Sequence, residues 1–149
     1  MKTCINPLRR ATVTALLCAL ACLGQTASHA ADGRDFAGSY QITRVVGSGP
    51  DVTVTISLTF VNYADEPLRG ARVTLKDSKG HGIEHGAFAA LASIEHRASN
   101  RLVGTFRVPI TEFNEWLNGS EPRFVVTRTD KGRKVERPIA VVRTGGVNP

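Results

Sequence analysis

Apolar and polar side chains alternate without exception over residues 52–60. Val52, Val54, Ile56, Leu58 and Phe60 fall on one side and Thr53, Thr55, Ser57 and Thr59 on the other. Residues 62–70 then bring Asn, Asp, Pro and Gly together, after which Ala71, Val73 and Leu75 alternate with Arg72, Thr74 and Lys76. A strict period of two, rich in β-branched residues and broken by turn formers, predicts two half-buried strands. One face of each packs on a core and the other meets water, the pattern of an antiparallel sheet.

The remaining chain can be placed around that pair. Residues 31–36 read as a polar, loose start. Residues 39–46 alternate through Tyr40, Ile42 and Val46, with Arg44 interrupting the apolar side. A misplaced or bulged charge protects a sheet edge, so a first strand near an edge is expected. Turn formers fill 47–51 and 77–80, with Gly80 suited to a left-handed conformation. Residues 81–100 are the least regular. A loop with a short strand around 91–96 is expected, and a helical turn through Ala87, Ala89, Ala90 and Ala92 competes with it. Leu102, Gly104, Phe106, Val108 and Ile110 mark another strand. Residues 111–119 predict a short helix, capped by Thr111, ended by Gly119, and burying Phe113, Trp116 and Leu117. A hairpin follows: a strand over 124–129, a turn at 130–132, and a last strand over 134–144, where Pro138 suggests an exposed edge. Seven or so short strands and one helix predict an all-β fold, an antiparallel immunoglobulin-like β-sandwich.

Composition changes this picture at the N-terminus. A basic start (Lys2, Arg9, Arg10), an apolar run over 11–23 and small residues ending at Ser28-His29-Ala30 have the order of a cleaved secretory signal peptide, with the cut after Ala30. The apolar run is shorter than the ~20 residues a helix needs to cross a bilayer. Arg9-Arg10 resembles a twin-arginine signal, but Thr12 stands where a bulky apolar residue is wanted, so ordinary export is expected. Residues 19–22 resemble a lipoprotein box with two positions exchanged, making a lipid on Cys22 the less favoured alternative. The expected product is a periplasmic or secreted single domain over 31–149. It contains no cysteine, because Cys4, Cys18 and Cys22 all lie in the leader, and must be held by its core alone. Without Lys2, Arg9 and Arg10 the formal charge falls from +6 to +3, which weakens any argument for nucleic acid from net charge.

The segments 52–62 (Val-Thr-Val-Thr-Ile-Ser-Leu-Thr-Phe-Val-Asn) and 67–75 (Pro-Leu-Arg-Gly-Ala-Arg-Val-Thr-Leu) resemble strand pairs of bacterial extracytoplasmic immunoglobulin-like or fibronectin-III-like domains. Residues 102–109 are similar to the strand before the far turn of such domains. The Cys…Trp…Cys pattern of antibody domains is absent. The resemblance implies adhesion, assembly or spacer roles, between which a fold does not choose.

Candidate chemistry is sparse. His81-Gly82-Ile83-Glu84-His85 matches the H-x-x-E-H pattern of one metalloprotease group, but zinc there needs both histidines on one helix face. Gly80, Gly82 and Gly86 leave no room for that helix. A surface site for a divalent transition metal through His81, His85 and His96 is the alternative functional reading. No thiol nucleophile, G-x-S-x-G elbow or phosphate-binding loop occurs in the expected mature chain. Glu112 and Glu115 could pair as carboxylates, although the first turn of a helix explains both. Basic residues gather late, and Arg107, Arg128, Lys131, Arg133 and Lys134 form a candidate face for an anionic ligand. No aromatic residue is interleaved with them, so nucleic acid is not an expected partner. The sequence therefore points to a non-catalytic envelope module that binds another protein, through the basic face or through the edge of the first or last strand.

Overall fold

The computed structural model describes residues 34–145; the leader and its cleavage site lie outside the described residues. Seven strands and one helix follow in the order β1 (Phe36–Val46), β2 (Asp51–Asn62), β3 (Arg72–Lys76), β4 (Gly86–Phe88), β5 (Ser99–Pro109), α1 (Ile110–Leu117), β6 (Arg123–Asp130) and β7 (Arg133–Arg143). They form one sheet in the order β3-β6-β7-β1-β2-β5-β4. The sheet rolls over until its two ends nearly meet: Ile83, in the chain between β3 and β4, donates its N–H to the Leu75 carbonyl at 3.1 Å. The fold is thus all-β with one short helix, as expected, but near-barrel and mixed rather than purely antiparallel. β1 and β7 run parallel, with Ala37 beside Ala140.

The alternation in β2 reads directly into the core. Val52, Val54, Ile56, Leu58 and Phe60 are all buried, and β5 contributes Leu102, Phe106 and Val108 across the ladder. Gly104 leaves the space in which the rings of Phe88 and Phe106 meet edge to face, 4.9 Å apart; a Cβ there would come within 2.7 Å of both.

Several expectations need correction. β1 starts at Phe36, which is buried, so residue 36 belongs to the core and not to a loose start. The uncertain segment is neither helical nor a strand at 91–96. The strand is β4 at Gly86–Phe88, and residues 89–98 form a loop pinned where Ile94 pairs with Leu68. The alanines there win no helix because Ile94 is drawn into the core and fixes an extended path. Helix α1 has Pro109, not Thr111, at its N-cap, and its Ile110 N–H is met by the Pro50 carbonyl at 2.8 Å. Gly119 follows the helix at φ +97°, as its sequence position suggested. Phe113 and Trp116 are buried, but Leu117, in the last turn, is 48% exposed.

By strand order β1 and β7 are interior, which corrects the reading of either as an outer edge. Their pairing covers only residues 37–40 and 140–143, however. Among the described residues, 41–46 of β1 and 133–139 of β7 have no strand on that side. Both expected edge guards fall in these open stretches. The register slips between Ile42 and Arg44, a bulge that leaves Arg44 exposed. Pro138 faces Val125 in the β6 ladder. Counting alternate pairs back from the two-residue turn, its missing N–H falls on the open side and costs no ladder bond.

Candidate binding surface

The β6–β7 hairpin is closed by Lys131 and Gly132, both at positive φ (49° and 77°), as a two-residue turn between paired strands requires. β3 pairs with β6 only as far as Thr127, and β1 meets β7 only from Ala140. Residues 128–135 therefore project as a two-stranded arm with no strand on either flank among the described residues. Arg128, Lys131, Arg133 and Lys134 all lie on this arm, four of the five residues proposed for a basic face. Its one acid is Asp130.

Arg107 does not join them. It lies on β5 opposite Thr53, at the end of the rolled sheet where β2 begins. There its Nη2 and Nε contact Asp51 Oδ2 at 2.7 and 3.0 Å. The arm extends past the other end, where β1 begins, because β7 runs parallel to β1 with Ala140 beside Ala37. Period-two placement put several of the five on a shared outer face and could not show that they divide between opposite ends; Arg128 in fact follows Phe124 and Val126 on the core-facing side of β6.

At the root of the arm charges are matched. Glu136 accepts from Lys134 at 2.8 Å and from Lys76 at 2.7 Å. The hydrogen bonds of Lys134 and then Lys76 hold its carboxyl down to about 2. Arg137 pairs with Asp35. Between the arm and the β2–β3 loop lies a cleft of about 310 Å³, with Arg128 on one side and Asp65 and Glu66 on the other.

The loop bounding this cleft is built on Asn62, which is fully buried. Its Nδ2 donates to the carbonyls of Glu66 and Ile94, both at 3.0 Å, while its Oδ1 accepts the Ala64 N–H at 3.0 Å. The only signal of this in the sequence is an asparagine ending a long buried strand.

The histidines are dispersed by function. His81 Nδ1 lies 3.0 Å from Asp77 Oδ2, and its N–H bonds Oδ1 of the same carboxylate at 2.7 Å. Partial burial would raise the Asp77 pKa, but the hydrogen bonds from His81 and Gly80 prevail and hold it below the usual carboxylate range. His85 offers its carbonyl to the Arg107 N–H at 2.7 Å. His96 Nδ1 is 2.8 Å from the Ala64 carbonyl, beside the Asn62 loop. Residues 81–85 are not helical, and among the described residues no three His, Cys, Asp or Glu side chains gather as a metal-holding group.

The Glu112–Glu115 pair does more than favour a helix end. Glu112 Oε1 accepts the Ser78 N–H at 2.7 Å and the Trp116 indole N–H at 2.5 Å, and Glu115 Oε2 accepts from Ser78 Oγ at 3.0 Å. The two carboxylates clamp the β3–β4 loop to the helix.

No family model and no curated protein matches this sequence. Among solved structures, an exo-β-N-acetylglucosaminidase from Vibrio harveyi is similar over 72% of this chain at 8% identity, with a TM-score of 0.38. This chain spans 18% of that enzyme's length. An uncharacterised β-sandwich protein from Clostridium difficile is similar over 69% of this chain and 78% of its own, at 12% identity and a TM-score of 0.26. Neither likeness bears on function.

Proposed function

We propose that this chain is a non-catalytic, extracytoplasmic, immunoglobulin-like module that docks an anionic segment of another envelope protein through its β6–β7 arm. One observation carries the reading: a basic hairpin, with Arg128, Lys131 and Arg133 against Asp130 and with Lys134 paired to Glu136 at its root, projects past both neighbouring strands. Charges that only keep an edge soluble need no such extension, whereas an arm standing clear of the sheet can reach into a partner. Like-signed charge on it steers an oppositely charged surface and raises the association rate. The order of basic, apolar and small residues over 1–30 supports export, and the all-β architecture is compatible with a binding role. Helix α1 fits a structural part, since its glutamates are taken up by Ser78 and Trp116.

The test is affinity capture from the native envelope by three baits spanning residues 31–149. These are the wild type, an arm reversal (Lys131→Glu with Arg133→Glu), and a His81→Ala/His85→Ala double variant. The expected result is one partner retained by the wild type and the histidine variant and lost from the arm reversal. Retention by the arm reversal and loss from the histidine variant would refute the arm and favour the metal-binding alternative.

A further inference from the structure

The cleft beside the arm has an apolar floor: Phe36, Leu68 and Val126 are each no more than 3% exposed. Two arginines line it, and they differ in one respect. Arg137 is held by Asp35, while the Arg128 side chain has no hydrogen bond or ion pair with any described residue. Arg128 follows Phe124 and Val126 on the core-facing side of β6 and is half-buried. A guanidinium partly withdrawn from water, facing Asp65 and Glu66 across the cleft but with no carboxylate in contact, has a desolvation cost that is only partly repaid. A carboxylate is its natural complement, because the planar fork of Arg offers it two parallel N–H donors.

The rest of the cleft narrows the ligand. A volume of about 310 Å³ lies at the small end of ligand pockets and suits one side chain with its terminal group. The apolar floor between polar walls suits a small ligand that carries an apolar part beside its charge better than a bare inorganic anion. Asp65 and Glu66, exposed on the far lip, repel a second negative charge and welcome a positive one.

We propose that this cleft binds the C-terminal carboxylate of a partner polypeptide. The carboxylate lies on Arg128, the last apolar side chain on the floor of Phe36, Leu68 and Val126, and a preceding basic residue faces Asp65 and Glu66. The inference rests on the preceding reading only in taking a protein as the partner. The residues that carry it are not those of the arm's tip.

The experiment is an amide-resolved NMR titration of the mature chain with three probes. They are N-acetyl-Lys-Gly-Leu as the free acid, the same tripeptide as its C-terminal amide, and 4-methylpentanoate. The free acid is expected to give saturable shifts at Ala64, Leu68 and Val135. Amidation, or Arg128→Gln, is expected to weaken binding by about tenfold or more, the scale of a lost charge-assisted bidentate pair. Arg128→Lys should keep part of the affinity, and unchanged amide shifts outside the cleft show that the variants fold. Equal binding of acid and amide, undiminished binding by Arg128→Gln, or no shifts at all would each overturn the proposal. Binding of 4-methylpentanoate as tightly as the tripeptide would overturn the choice of a polypeptide. Lys131→Glu with Arg133→Glu should leave tripeptide binding unchanged. A cleft that binds the tripeptide in a chain whose partner capture ignores the arm reversal would thus separate the two readings.

Discussion

Asn62 and Ile94 stand 32 residues apart in sequence, and the Asn62 amide donates to the Ile94 carbonyl at 3.0 Å inside the protein. That bond joins the end of β2 to the loop between β4 and β5. Around it, the Leu68 and Ile94 backbones exchange hydrogen bonds of 2.9 and 3.0 Å, and Arg97 N–H reaches the Asn62 carbonyl. The acidic lip of the cleft is therefore tied down by the buried Asn62 amide together with the Leu68–Ile94 pair and the Tyr63 and Ala64 N–H bonds to the Asp35 carbonyl.

Asn62→Ala removes a donor and an acceptor that bond three backbone groups, although the Ile94 carbonyl keeps the Leu68 N–H and the Ala64 N–H keeps the Asp35 carbonyl. The expected loss is about 1–2 kcal/mol, because two of the three groups keep a second backbone partner. Urea denaturation measures it, and amide shifts should be concentrated at 64–68 and 94–98. A loss below ~0.5 kcal/mol would show that the loop is held by other means.

Stability should fall at both ends of the pH range for separate reasons. Glu136 is depressed to about 2 in the folded chain by Lys134 and Lys76. Its contribution is therefore present above the unfolded carboxylate pKa near ~4.3 and is lost as pH falls toward 2. The effect is modest, since partly exposed ion pairs are screened. Tyr40 is pushed up to about 12 by burial, then by Glu121, against a lowering by Arg143. Its contribution is present below the unfolded value near ~10 and is lost as pH rises through 12. Its hydroxyl is buried with no hydrogen-bond partner among the described residues. Tyr40→Phe should therefore cost little or even stabilise, and should flatten the alkaline limb. Glu136→Gln should flatten the acid limb. Thermal melts from pH 2 to 11.5 check both, and limbs unchanged in the variants would contradict these assignments.

Pro138 closes the open side of β7 by withholding a donor. Pro138→Thr restores an N–H to an unpaired edge. It is expected to shift the chain from monomer toward dimer or larger species in sedimentation velocity at concentrations where the wild type stays monomeric. An unchanged distribution would mean that Lys134 and Arg137 guard the edge without it.

How much of this was legible depended on the range of the interaction. The period-two runs in β2, β3 and β5 located their core faces correctly, because alternation is a local consequence of the pleat. Lys131-Gly132 marked its hairpin for the same reason: the turn's backbone is decided by its own two residues. The parallel β1–β7 pairing was not legible, since nothing near Ala37 or Ala140 encodes their adjacency. Arg44 and Pro138 did carry the right message about open edges, yet in strands that are interior by order. A strand can be paired along one half and open along the other, and the sequence does not mark where that change occurs. At the candidate surface, residue type identified the basic cluster, while the division of Arg107 from the arm and the Asp35–Arg137 contact arise only from the closed fold. The strand expected around 91–96 forms instead at Gly86–Phe88, and the competing helical turn at 87–92 does not form, since alanine's helix preference, a few tenths of a kcal/mol per residue, is smaller than what burying Ile94 contributes.

Site-directed photo-crosslinking in cells that make the protein tests the arm most directly. A photoreactive residue is placed at Thr129 on the arm, and in a second variant at Thr53, on the outer face of β2 and away from the arm. A discrete adduct with one envelope protein is expected from position 129, absent from position 53 and abolished when Lys131 and Arg133 are reversed to Glu. An adduct from position 53 alone, or one from position 129 that survives the charge reversal, would contradict docking through the arm.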